Sequence, residues 1–232
     1  MYRRSLSLLF VSACLLISPL SLLAQDQDQS LEMSQRVTQL VEADDAAGLR
    51  ALGEAAIPSM TWLYGLSDEP ERVRIANLFN EMGIKSEAAE QALMRDAHTG
   101  NPDLRLAVQY ALGRVSDAPE VVDTLLDTMQ NDGNPLFRDK AACALAYEQV
   151  HLNPAQKVRV YEGLIQALSS PTAQVRAVSI QALSILTGQT KGYHHLLSEE
   201  RRERSIAMWQ KWLDDYRAGA TMAPHGSSRP SS

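Results

Sequence analysis

The sequence predicts an all-α fold, an α-solenoid of about four helix pairs with an N-terminal helical lead-in and a C-terminal capping helix. Three observations predict it. Four times a proline is followed within five residues by an apolar residue and arginine: Pro70…Val73-Arg74, Pro102…Leu104-Arg105, Pro135…Phe137-Arg138 and Pro171…Val175-Arg176. These arginines stand 31, 33 and 38 residues apart, and Ala111-Leu112-Gly113, Ala144-Leu145-Ala146 and Ala182-Leu183-Ser184 follow the last three at fixed offset. Self-similarity at this period marks a stack in which no unit buries its apolar face alone. The composition agrees: 45% apolar residues with only 6% aromatic suits closely packed helices. No strand-length alternating run competes with them.

Residues 1–24 read as a secretory signal peptide. Arg3 and Arg4 form a basic start, Leu6 to Leu23 are apolar apart from serines and Pro19, and Ala24 stands at the expected cut. A retained membrane anchor is the rival reading, since the run is just long enough to span a bilayer; Pro19 and the serines favour cleavage. Val11-Ser12-Ala13-Cys14 looks like a lipoprotein box, but a cut there would leave Leu15-Leu16-Ile17 on the mature end. Cleavage after Ala24 leaves 208 of 232 residues, with 20 basic side chains (22 less Arg3 and Arg4) against 28 acidic. That balance gives no general attraction to phosphate backbones or anionic lipid, so nucleic acid is not an expected partner. Cys14 leaves with the signal, and Cys143 alone cannot form an intramolecular disulfide.

Residues 25–53 form the lead-in, with Leu31, Val37, Leu40 and Val41 at helical spacing and a second short helix from Ala46 to Gly53. Repeats occupy 54–190. First helices are expected near 54–66, 86–98, 119–131 and 154–169, and second helices near 70–83, 102–115, 135–150 and 171–187. Asn101-Pro102, Asn134-Pro135, Asn153-Pro154 and Ser170-Pro171 each set a capping side chain before proline. The cap satisfies an orphan N–H, and proline has none to lose there. Residues 191–217 hold a loop and the capping helix. Ser198 caps it, Glu199 and Glu200 suit its first-turn dipole, and Ile206, Trp209, Leu213 and Tyr216 form one apolar stripe. Residues 218–232, rich in Pro, Ser and Gly from Thr221, are expected to be disordered.

These units resemble HEAT repeats, in particular the short bacterial kind called HEAT-like or bilin-lyase-like repeats. The resemblance covers roughly residues 54–190 and rests on the proline, the apolar-arginine pair and the Ala-Leu that follows. The Thr187-Gly188-Gln189…Gly192-Tyr193 segment and the helix with Trp209 and Trp212 look like the closing segment of many secreted bacterial HEAT proteins. The tetratricopeptide Trp…Leu-Gly…Tyr pattern and the ankyrin Thr-Pro-Leu-His are absent. The resemblance implies a turn aspartate six residues before each arginine. Asp68 precedes Arg74 and Asp132 precedes Arg138 at that offset, while Thr99 and Ser170 stand in the other two repeats. It also implies a structural ladder of Asp68, Arg74, Arg105, Asp132, Arg138 and Arg176. Asn80-Glu81 replaces the Ala-Leu of the first repeat and leaves its register open.

Counted from the apolar residue before each arginine, positions +2 and +6 share a face away from the core positions. They read Ile75/Phe79, Leu106/Tyr110, Asp139/Cys143 and Ala177/Gln181. HEAT-like stacks line their concave side with second helices, so Ile75, Phe79, Leu106 and Tyr110 are the expected partner-binding groove, or else simply pack on the next repeat. His194-His195 has no companion at ligand spacing and reads as loop, and Cys143 among alanines reads as tight helix packing. Neither a phosphate loop, a His-Glu-x-x-His motif nor a nucleophile elbow occurs. The expectation is a non-catalytic protein-protein interaction scaffold, without cofactor or metal, binding a protein or peptide. It is expected in the periplasm of a Gram-negative cell or secreted, with no membrane span after signal cleavage. A bilin-lyase-like chromophore-handling protein and a membrane-tethered envelope assembly factor are the alternatives.

Overall fold

The computed structural model describes residues 19–222, with side chains from 27 to 219. The predicted signal segment up to residue 18, and the tail beyond 222, lie outside the described residues. Every regular element described is helical. The lead-in is α1 (Pro19–Glu42) and α2 (Ala46–Leu52). Four pairs follow: α3 (Ile57–Leu66) with α4 (Glu69–Met82), α5 (Glu87–Met94) with α6 (Pro102–Val115), α7 (Pro119–Asn131) with α8 (Pro135–Cys143), and α9 (Pro154–Ala167) with α10 (Ala173–Thr187). The cap is α11 (Glu199–Met222). It runs past Gly219, so the segment expected to be disordered from 218 is helical as far as Met222.

The pairs stack into two layers. The second helices α2, α4, α6, α8 and α10 pack each on the next, and opposite them α1, α3 and α5, then α7, α9 and α11, do the same. Side-chain caps define the starts: Asp68, Ser86, Asn101, Asn134 and Asn153 each accept a backbone N–H of the first turn. Asn153 and Gln156 complete a reciprocal capping box. At the other end Gly83 and Gly188 take left-handed φ of 63° and 70°, stopping α4 and α10 at a cost only glycine avoids.

The core is continuous from Val37 to Leu213. Ile206, Trp209, Leu213 and Tyr216 of α11 all pack on it, with Trp209 fully buried. Tyr161 of α9 meets Trp212 and Tyr216 edge-on, each at 5.0 Å between centroids. This aromatic seam closes the last apolar face, as a solenoid requires. Several elements depart from expectation: α3 starts at Ile57 after a 3-10 turn, Gly53–Ala56, and α10 starts at Ala173 after Thr172, which makes no side-chain cap bond, so the expected Ser170-Pro171 cap does not open it. α5 stops at Met94 rather than near 98, and α8 passes after Cys143 into a turn of π-helix, Ala144–Glu148.

Candidate interaction surface

The second helix of each of the four pairs carries an arginine four residues after its N-cap. The N–H groups of Arg72, Arg105, Arg138 and Arg176 donate to the carbonyls of Asp68, Asn101, Asn134 and Thr172, at 2.9, 3.0, 3.2 and 3.2 Å. The first repeat therefore counts from Arg72. Arg74 is displaced by two residues: the pair Val73-Arg74 repeats the apolar-arginine pattern two positions late, while Glu71 precedes Arg72.

Three of the guanidinium groups reach forward to the next repeat, and that of Arg176 reaches the loop before α11. Arg72 holds both carboxylate oxygens of Asp96, at 3.0 and 2.9 Å, and Asp96 also accepts from the Tyr64 hydroxyl at 2.7 Å. Burial and that hydrogen bond push the Tyr64 hydroxyl pKa far upward. Arg105 pairs with Asp132 and stacks over Phe137 at 4.2 Å. Arg138 donates to Gln174 and, at 2.6 Å, to the Asp132 carbonyl. Arg176 donates to the carbonyls of Ser170, Pro171 and His195 at 2.7, 2.9 and 3.2 Å. The expected pairing across six residues is thus corrected. Asp68 caps α4 through Glu71 N–H, and Arg74 turns to Glu71 and the Glu42 carbonyl. The Asp132 carboxylate serves Arg105 of the preceding repeat, leaving Arg138 its main-chain oxygen.

The same two-residue offset corrects the groove. Ile75 and Phe79 occupy the core positions that Val108 and Leu112 fill in α6, and both are 0% exposed. Val73 and Asn77 take the outward positions instead, half-buried and exposed respectively. Leu106 and Tyr110 keep theirs, half-buried, and the outward line continues through Asp139, Cys143, Ala177 and Gln181. Burial raises the Tyr110 hydroxyl pKa, with Cys143 the next cause. Burial, then Asp139, raises that of the Cys143 thiol. This face is therefore a mixed strip of one aromatic side chain, two aliphatic ones (Val73 and Leu106), several small or polar ones, and a thiol.

Two apolar exposures escaped sequence reasoning. Trp62 and Leu66, one turn apart on α3, are 63% and 68% exposed. Their signal was available: Trp62, Leu63, Tyr64 and Leu66 make that helix apolar all round, more than one layer can cover. Tyr147 and Val150, at the π-turn, are also exposed. His194 and His195 stack at 4.5 Å, and among the described residues no group of three His, Cys, Asp or Glu is placed to hold a metal. No helix among those residues is long and apolar enough to cross a membrane.

Compared with known families, residues 59–146 match HEAT repeats. No curated protein matches the chain. HEAT repeats point to a protein-interaction scaffold with protein partners. The match opens inside α3 and closes within the π-turn, so α9 and α10 continue the same stack beyond it. A forward-reaching arginine fastens each of the first three pairs to the next, and residues 59–146 of the chain are HEAT repeats.

Proposed function

We propose that this protein is an exported, non-catalytic interaction scaffold that holds an extended or helical segment of a partner along its second-helix face. The observation carrying this is the half-exposed pair Leu106 and Tyr110 at the middle of a repeat array, flanked by the small positions Cys143 and Ala177. A rigid array orders little on binding, so apolar burial at such a pair converts more fully into affinity. Tyrosine supplies large contact area at low entropic cost. The acidic excess of the chain sets which partners approach, favouring basic rims. Arg3, Arg4 and the apolar run to Leu23 support export by signal cleavage.

Envelope extract passed over immobilised protein should deliver a partner that Leu106→Asp with Tyr110→Asp releases, while helical circular dichroism stays unchanged. A partner retained by the folded double variant rejects this face. Mass spectrometry of protein taken from the envelope should find Gln25 at the mature end. Residue 1 at that end would reject export by cleavage.

A further inference from the structure

α4 and α6 share an apolar stripe at three, seven and ten residues after the arginine that follows each N-cap. It is Ile75, Phe79 and Met82 in α4, and Val108, Leu112 and Val115 in α6, all at most 5% exposed. In the third pair the same positions read Ala141, Leu145 and Glu148. The π-turn Ala144–Glu148 carries the last of them, and Arg114 of α6 holds its carboxylate at 2.6 Å. The apolar plug that ends α4 and α6 is thus missing from the third pair. A cavity of about 200 Å³ opens there, between the π-turn, the start of α9 and the end of α10. Leu145, Leu152, Val160 and Leu186 line it with the ring of Tyr161. Leu186 holds the tenth position of α10, yet it stays half-buried because the cavity lies against it. The Gln149 amide packs toward α6, where a Cβ on Gly113 would lie 2.7 Å from its Nε2. Lys157, half-buried, adds its aliphatic stem to the rim. Tyr147 and Val150 stand at the mouth, 57% and 47% exposed.

We propose that this cavity receives one uncharged apolar side chain, of leucine or phenylalanine size, from a polypeptide partner. Its wall is apolar, so burial alone drives entry. Its volume selects the group: an apolar cavity of about 150 Å³ holds a benzene ring, and sites for drug-sized ligands begin near roughly 300 Å³. The exposed collar selects the source. A free molecule that fills the cavity leaves Tyr147 and Val150 in water, whereas a side chain borne on a backbone brings its neighbours across them. Contacts of that kind shut water out from a central anchor. The site shares no residue with the strip through Leu106 and Tyr110, so either can fail without the other.

The test titrates full-length mature protein with acetyl-Ser-Ala-Phe-Ala-Ser-amide, with the same peptide carrying leucine or alanine at its centre, and with toluene as a free ring. Trp212, in edge contact with Tyr161, reports occupancy by fluorescence. The phenylalanine or leucine peptide should bind at least about tenfold more tightly than the alanine peptide, the factor that a few carbons are worth in an apolar pocket. Val150→Ser, at an exposed position, should weaken the better peptide about threefold or more and leave toluene unchanged. Ala146→Leu fills the cavity from its own wall. It should erase the preference for the larger side chain and raise the melting midpoint by about 2–4 °C. Should that variant fail to fold, Val150→Ser decides. Equal affinity for all three peptides overturns the proposal, as does the absence of binding at millimolar concentration. Toluene binding as tightly as the best peptide overturns it too, because the collar then contributes nothing. So does a preference that survives in folded Ala146→Leu.

Discussion

Arg105 on α6 pairs with Asp132, which lies beyond α7, and stacks at 4.2 Å over Phe137 one turn into α8. One side chain thereby fixes the turn and the entry angle of the helix that opens the next repeat. Both partners are 12% exposed, so this contact belongs with buried pairs rather than surface ones. Asp132 also accepts the Asn134 N–H at 2.7 Å. Breaking a buried pair from one side costs about 3–5 kcal/mol. Residual exposure puts Asp132→Ala at the lower end, about 3 kcal/mol on that scale. Urea denaturation should show the loss, and Asp132→Asn, which keeps the Asn134 cap, should recover part of it.

The four arginines that follow their N-caps by four residues predict an asymmetry between near neighbours. Arg72→Ala removes two hydrogen bonds to Asp96 and leaves a carboxylate that is 13% exposed with only Tyr64 to satisfy it. Arg74→Ala removes a contact within α4 between groups 35% and 29% exposed. The first should cost about 2 kcal/mol and the second less than about 1 kcal/mol. Equal midpoints in urea would return the ladder to Arg74.

What could be read from the sequence divides along physical lines. Starts such as Asn101-Pro102 and Asn134-Pro135 were legible because capping acts within a few residues. The α11 stripe was legible because helical period and apolar spacing coincide. The first repeat misled because Val73-Arg74 supplies the apolar-arginine pair two residues late, whereas counting four residues from the N-cap Asp68 reaches Arg72 and keeps the register. With that shift, core residues Ile75 and Phe79 passed for surface. The π-turn after Cys143 left no local trace, because it answers to the packing of Glu148 and Gln149 against Gly113.

Asp117 ties three segments together, and its titration sets an acid limit on the stack. Its carboxylate accepts from Lys85 at 2.6 Å and Gln156 at 3.3 Å, and the Lys85 hydrogen bond is the main cause holding its pKa below the ordinary value of 3.8. A carboxyl depressed in the folded state contributes stability in full above its unfolded pKa. That contribution fades as pH falls through the folded value. Melting midpoints should therefore fall on acidification below about pH 4 more steeply in the parent than in Asp117→Asn. Parallel curves would mean that other carboxylates carry the acid limb.

Burial separates two aromatic side chains that share a sequence neighbourhood. Phe79 is fully buried between α4 and its neighbours, so Phe79→Ala should cost about 3–5 kcal/mol through lost transfer and an unfilled cavity. Trp62 leaves most of its surface in water, and Trp62→Ala should change stability by less than about 0.5 kcal/mol. Thermal unfolding of the two variants decides it. A large loss at Trp62 would mean that α3 is covered by something the monomer lacks, such as a second copy, and midpoints would then depend on protein concentration.

Glycines on two helices should respond oppositely to the same added methyl group. Alanine is favoured over glycine inside a helix by about 1 kcal/mol, so each substitution starts with a gain. At Gly163 of α9 the new Cβ meets the side chain of Leu126 on α7, which can turn to another rotamer. At Gly113 of α6 it meets Glu148 Cβ at 2.8 Å and the Glu148 carbonyl carbon at 3.0 Å, and main chain cannot step aside. Overpacking against backbone costs about 1–3 kcal/mol and outweighs the helix gain. Gly163→Ala should accordingly lie within about 1 kcal/mol of the parent. Gly113→Ala should fall below it and also displace Gln149, whose Nε2 the new Cβ would approach to 2.7 Å. A Gly113→Ala variant as stable as the parent would show that the π-turn gives way more easily than its contacts with α6 imply.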